Sequence, residues 1–430
     1  MSPAVLAPPE LEADPPADAP LRDQSRTETV LRLGALVVAT AAITALLATT
    51  AGWAWVAVVW SVIVIIMLHE LGHFATAKWS GMKATEYFVG FGPRLWSIRR
   101  GETEYGVKAF PLGGYVKILG MTSMEELDPS DEPRSFVNQS TSKRVLVASA
   151  GSIVHFLLAL LLAVFALWFI GTPHAGRYSE ITGLTQLSHP TPAQLAGLRL
   201  GDEFVSIDGV PATGATIRSA IEGSKGRPVT MVVLRHGQDV TLVASPRRIF
   251  GGSEYYLGIG FGTPTVYRPT GILGAVTGAG SLIGQVTSKT GEAFVHAFSP
   301  SGLTSLAHQV TSSKAAAQAR AGGTNTVSMV GAVQYLADAF RAGAMPFIGM
   351  LISLNISLGV LNMLPMLPLD GGHVAIALYE RIRTRRGRAR YRADVAKLMP
   401  VVYAFMGFLL LFVAGKMYLD IAHGVSNPFG

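Results

Sequence analysis

Residues 53–78 read WAWVAVVWSVIVIIMLHELGHFATAK, and this stretch decides the class of molecule. It is apolar for long enough to cross the roughly 30 Å hydrocarbon core of a bilayer. Near its end it nevertheless carries His69, Glu70 and His73. On a helix, positions i and i+4 lie on one face, so the two imidazoles of this H-E-x-x-H pattern can reach one metal ion. The glutamate between them is placed to take a proton from a water that zinc acidifies to a pKa of about 7. Two histidines and a carboxylate in so apolar a helix bear a large desolvation cost, which makes a functional reading the default.

Composition agrees with a membrane protein. Of 430 residues, 49% are hydrophobic and 15% charged, against about 25% charged in soluble domains. Mean hydropathy is +0.38. The chain has no cysteine, which excludes disulfides, thiolate zinc sites, iron–sulfur clusters and a cysteine nucleophile. Only nitrogen and oxygen ligands remain. A net charge of +7 could suit nucleic acid, but in a chain this apolar it is read as sorting loops across a bilayer, with no nucleic-acid partner.

Four further apolar runs, near 31–52, 145–170, 345–369 and 398–419, complete a polytopic α-helical membrane fold. It comprises about four core spans plus one extra N-terminal span. Lys and Arg crowd the segment between the second and third spans, and Arg381–Arg392 before the last. Short basic loops face the cytoplasm, so the two intervening crossings put the stretch from about 171 to 343 outside. The expected layout is a disordered cytoplasmic tail over 1–30, the extra span over 31–52 and a first core half over 53–170. An external domain over 178–248, external amphipathic helices over 249–343 and a second core half over 344–430 follow. The expected location is a cell membrane, with the N-terminus inside.

Within the external stretch, short β-rich runs (FVSIDG, VTMVVL, DVTLVA) alternate with turns. The run from Pro192 through Gly201-Asp202 to Ile207-Asp208-Gly209 resembles the PDZ signature P-A-x-x-A-G-L-x-x-G-D…I-x-G. That resemblance implies a peptide or substrate terminus as its ligand, or a size filter. Gly258-Ile259-Gly260-Phe261-Gly262 is not a dinucleotide loop, because no suitable helix follows.

The third metal ligand has to come from elsewhere. Thr76 and Trp79 stand where secreted zinc proteases of the metzincin type need Gly and His, and Glu86 is too close and in a loop-like segment. Residues 362–372, NMLPMLPLDGG, place Asp370 in a proline-broken apolar stretch. Such a break at membrane depth is tolerated where it lines protein or a water-filled cavity. Asp370 is either a third ligand or a helix cap at the interface.

H-E-x-x-H on one span, N-x-x-P-x-x-P-L-D-G-G on a later one and a PDZ-like domain between them resemble the site-2 protease family. These are intramembrane zinc metalloproteases, here of the bacterial type that cleaves anti-sigma factors. The resemblance runs from about 56 to 422 and includes Phe88-Val89-Gly90-Phe91-Gly92-Pro93 and Pro111-Leu112-Gly113-Gly114-Tyr115-Val116. It implies that His69, His73 and Asp370 bind Zn2+, that Glu70 is the catalytic acid/base, and that Asn362 holds the substrate backbone. It also implies single-pass membrane substrates, already shortened, cleaved by regulated intramembrane proteolysis. The run 102–110 with 115–118 reads as a hairpin, either the family's membrane-reentrant β-loop or a plain cytoplasmic one. Asn362 could instead bridge helices, and its place roughly two helical turns from Asp370 favours the substrate-holding role.

The chain departs from the family in three places. The first span is additional, one PDZ-like copy stands where two are common, and the third span carries Ala150-Gly151-Ser152-Ile153-Val154-His155-Phe156 in place of A-G-P-x-x-N-F. His155 reads as a helix–helix hydrogen bonder or as a neighbour of the site. Rival functions are a catalytically inactive PDZ-bearing membrane adaptor and a zinc-site transporter.

Overall fold

The computed structural model describes residues 26–121, 128–175, 179–185, 189–248, 254–262, 265–321, 328–384 and 391–423. Most of the tail expected over 1–30, and 385–390 of the arginine-rich segment, lie outside these. Two compact units emerge, one of Met1–Ala163 with Gly280–Gly430 and one of Val164–Ala279.

The first unit opens with α1 (Arg26–Thr50) and α2 (Trp53–Trp79). Helix α1 takes in residues 26–30, the last five of the expected tail. Gly52, at φ 91, supplies the left-handed turn between the two helices. Trp60 Nε1 donates to Thr44 Oγ1 across them at 3.3 Å. Two long strands follow, β1 (Ala84–Arg100) and β2 (Thr103–Ile118), then α3 (Thr141–Phe165), which runs on as a π-helical turn over Ala166–Ile170.

Both segments of the expected hairpin lie in β2, and their shared partner is β1. Tyr87 pairs with Val116 on one side and Tyr105 on the other, while Ser97 pairs with Gly106 nearer the turn. Gly90 and Gly92, both at φ 86, bend β1 without ending it. A side chain at Gly90 would lie 2.6 Å from the Phe110 carbonyl, so only glycine permits this fold-back. Around the bend Phe91, Leu95 and Phe110 are exposed.

The second unit contains β3 (Thr172–Ala175), β4 (Ser179–Leu184), α4 (Pro192–Leu195), β5 (Glu203–Ile207), β6 (Val210–Pro211) and α5 (Gly214–Gly223). It continues with β7 (Val229–Arg235), β8 (Gln238–Ala244), β9 (Arg247–Arg248), β10 (Tyr255–Tyr256), β11 (Ile259–Gly262) and β12 (Thr265–Arg268). The main sheet has the order β11-β4-β5-β7-β8 with β6 on β5, so Ile259–Gly262 serves as an edge strand. Alternating strand residues and one face of α5 bury Phe204, Ile207, Ile217, Met231 and Val233 in one core. The Pro192–Asp202 motif is legible in physical terms. Thr191 and Gln194 form a capping box, Gly197 and Gly201 turn at positive φ, and Asp202 accepts from the Arg199 N–H and from Arg235.

Beyond it lie α6 (Ile272–Ala297), α7 (Pro300–Thr311), α8 (Ser313–Ala321), α9 (Met329–Ala342), α10 (Ala344–Asn362), α11 (Asp370–Arg383) and α12 (Met399–His423). Helix α9 packs Leu336 and Ala337 against Ala54, Val58 and Leu351. Among the described residues, five helices are long and apolar enough to cross a membrane: α1, α2, α3, α10 and α12. The break after α10 covers 363–369.

Candidate metal centre

Two helices far apart in the chain, α2 and α11, meet at one point. His69 and His73 are both buried, and their Nε2 atoms lie 3.2 Å apart. Asp370, the first residue of α11, brings Oδ2 to 3.5 Å from His69 Nε2 and 3.3 Å from His73 Nε2. Asp370 makes no capping bond; the N-cap is Leu369, which removes the cap reading. Among the described residues, its buried Oδ2 has no hydrogen-bond partner.

This donor set fits a zinc ion. His73 Nδ1 donates to the Val147 carbonyl at 2.7 Å, which fixes the tautomer and leaves the Nε2 lone pair facing the other ligands. Lone pairs converging from two imidazoles and a carboxylate repel one another unless a cation sits among them. Two nitrogens and one oxygen match a catalytic zinc site with an open fourth position.

Helix α3 makes room for the rings. A Cβ at Gly151 would lie 2.3 Å from His69 Cε1 and 2.4 Å from His73 Nε2, so no side chain fits there. The helices α2 and α3 themselves meet at Gly72, where a Cβ would reach the Ala150 carbonyl at 2.9 Å. Strand β2 approaches from another side. A Cβ at Gly114 would come within 3.2 Å of Glu70 Cγ, so backbone packs directly beside the proposed acid/base. Tyr87 on β1 donates to the Met67 carbonyl at 3.0 Å, fastening the sheet to the same helix.

The NMLPMLPLDGG stretch is two helix ends joined by a loop, so Asn362 and Asp370 are not two turns apart on one helix. Gly371 and Gly372 sit under that loop, where a Cβ at Gly371 would meet the Met363 carbonyl at 2.3 Å. Asn362 ends α10, half-buried, and no hydrogen bond joins it to His69, His73 or Asp370 among the described residues. Glu86, read as loop, lies in β1 and engages Lys108 and Tyr115. His155 does both things considered for it: its Nδ1 bonds Asn355 Oδ1 on α10 at 3.1 Å, and its ring lies 4.8 Å from that of His69. In the sequence Asn355 stands out as an interruption of the fourth apolar run, with no role attached to it. Its only signal is a polar residue within an apolar span.

Residues 57–407 match the family described as Peptidase family M50. The zinc metalloprotease Rip1 of Mycobacterium tuberculosis is 35% identical over 403 residues, covering 86% of this chain and 96% of the relative. Rip1 of Mycolicibacterium smegmatis is 32% identical over 409 residues with the same two coverages. With the metal-binding geometry and the five candidate spans, these matches give one conclusion: the chain belongs to peptidase family M50, the site-2 proteases, and is a multi-pass membrane zinc metalloendopeptidase.

Proposed function

We propose that this protease hydrolyses a peptide bond in or beside the transmembrane segment of single-pass membrane proteins such as anti-sigma factors, as a step of regulated intramembrane proteolysis. The observation that carries this reading is the meeting of His69, His73 and Asp370 on helices of the membrane-spanning unit. His69, His73 and Asp370 would hold zinc, which when bound supplies a Lewis acid that acidifies water and polarises a peptide carbonyl. Glu70 accepts the proton of the attacking water and returns it to the leaving amine. Asn362 holds the substrate backbone.

A transmembrane helix hides its peptide bonds in internal hydrogen bonds, so the substrate must unwind before cleavage. Strand β2, packed beside Glu70 at Gly114, supports capture of the unwound segment by strand pairing. The exposed Phe91, Leu95 and Phe110 support a membrane-reentrant sheet over a plain cytoplasmic hairpin.

The Lys/Arg distribution supports a cytoplasmic N-terminus and an external stretch from about 171 to 343, which includes the PDZ-like unit of 178–248. This unit acts as a PDZ domain that engages a substrate terminus or restricts access by size. The test is Glu70→Gln with a transmembrane reporter. Cleavage should fall at least about 1,000-fold with expression and insertion unchanged; undiminished cleavage removes the role of Glu70 and favours the adaptor reading.

A further inference from the structure

One stripe of α3 serves the metal centre. Arg144, Val147, Gly151 and His155 recur every three or four residues and so share a face. Val147 accepts from His73, Gly151 underlies both histidine rings, and His155 packs on His69. Arg144 reaches in a different direction. It is 3% exposed, and its Nη1 donates to Glu380 on α11, itself 5% exposed. Glu380 also accepts the Ala393 N–H through Oε1 at 2.8 Å, which ties in the segment leading to α12.

A buried ion pair is a poor source of stability, because desolvation consumes most of the attraction. Its directionality is another matter. On α11, Asp370, His373, Ala377 and Glu380 also share a stripe. Phe136 fills the space between the two helices, with the Arg144 guanidinium 5.2 Å from its ring and the His373 ring 6.1 Å away. Helix α11 is thus held at two points about 15 Å apart along its axis, at about 1.5 Å per residue: by Asp370 beside the histidines of α2, and by Glu380 on Arg144 of α3. One tie leaves a helix free to rotate and slide. Two ties fix both.

We infer that Arg144 and Glu380 are positioning residues that hold Asp370 in reach of the metal, an inference that rests on Asp370 being a ligand. The leverage is large. A carboxylate carried about 5–6 Å from the axis of α11 moves by about 1 Å for a rotation of only about 10°. A displacement of about 1 Å at a reacting site costs on the order of 100-fold in rate.

The test is zinc affinity of the full chain, purified in detergent and measured by competition with a chromogenic chelator. Replacing both partners (Arg144→Met with Glu380→Met) leaves no unpaired buried charge and should preserve helicity and thermal unfolding. Zinc binding should nevertheless weaken about 10–100-fold, the effect typical of lost outer-shell support. In an Asp370→Asn background the same pair of substitutions should add less than about twofold, because both act through one ligand. Wild-type affinity in the double variant, or a loss that adds in full to that of Asp370→Asn, overturns the proposal. If the double variant fails to insert, Arg144→Lys carries the test. It keeps the charge but loses the planar fork, and should weaken zinc at least about threefold; parity with wild type overturns the proposal. The underlying reading fails separately: Asp370→Asn would then bind zinc as tightly as wild type.

Discussion

The sheet unit buries Phe204, Ile207, Ile217, Met231 and Leu257 at its centre. At the metal centre of the helical unit the buried residues are Ala148, Ala150, Gly151, His69, His73, His155 and Asn355. The large apolar side chains of that unit are divided: Phe88, Phe136 and Ile356 are fully buried, while Leu161 is 66% and Leu411 76% exposed. The outward-facing leucines follow from the solvent this region meets. Water expels large apolar groups into a core. Lipid is as apolar as leucine, so inside a membrane helices associate through small residues and polar contacts. In this chain the polar contacts are also the chemistry.

Three substitutions bear on this contrast, and the largest effect belongs to Gly151. Gly151→Ala puts a methyl into the space of both histidine rings and should reduce zinc content and proteolysis at least about 100-fold. Metal analysis of membrane-inserted protein checks it, and full zinc occupancy would show that the rings move aside. Next comes a matched pair. Phe204→Ala should destabilise the sheet unit by about 3–5 kcal/mol, read as proteolytic susceptibility of that unit in the full chain, without altering zinc affinity. Leu411→Ala, facing outward, should change stability by less than about 0.5 kcal/mol. Comparable losses in both would erase the distinction between the two interiors.

The smallest expected effect is on pH response at the β1–β2 turn. Glu102 there accepts from Arg134 and from Lys78. Hydrogen bonds from Arg134, opposed by burial and then reinforced by Lys78, hold its carboxyl at about 2 instead of the ordinary 4.5. A lowered folded-state pKa means the contribution is complete above about 4.5 and is lost as pH falls towards about 2. Amide protection in β1 and β2, corrected for the intrinsic pH dependence of exchange, should fall modestly between pH 6 and pH 3, and Glu102→Gln should flatten that response. An identical pH response in Glu102→Gln would assign it to another group.

What sequence could reveal was largely local. H-E-x-x-H is a single helical turn, and its meaning follows from spacing alone. Asp370 was narrowed to ligand or cap, and only the position of the helix start, with Leu369 as cap, separates these. The partners of α3 were beyond reach, since Asn355 lies 200 residues from His155 and Glu380 lies 236 from Arg144. Strand β1 was obscured for a different reason. Its FVGFGPRL segment has the glycine and proline content of a turn, yet those glycines bend a strand that continues to Arg100.

The bond from His73 to the Val147 carbonyl has an evolutionary consequence. A metal ligand steadied by a neighbouring carboxylate can lose that support through one codon change. A main-chain carbonyl has no side chain to mutate, so here that support survives most substitutions on α3. The fragility is concentrated where a side chain must be missing. At Gly151 every replacement is an addition, and drift at that position has almost nowhere to go.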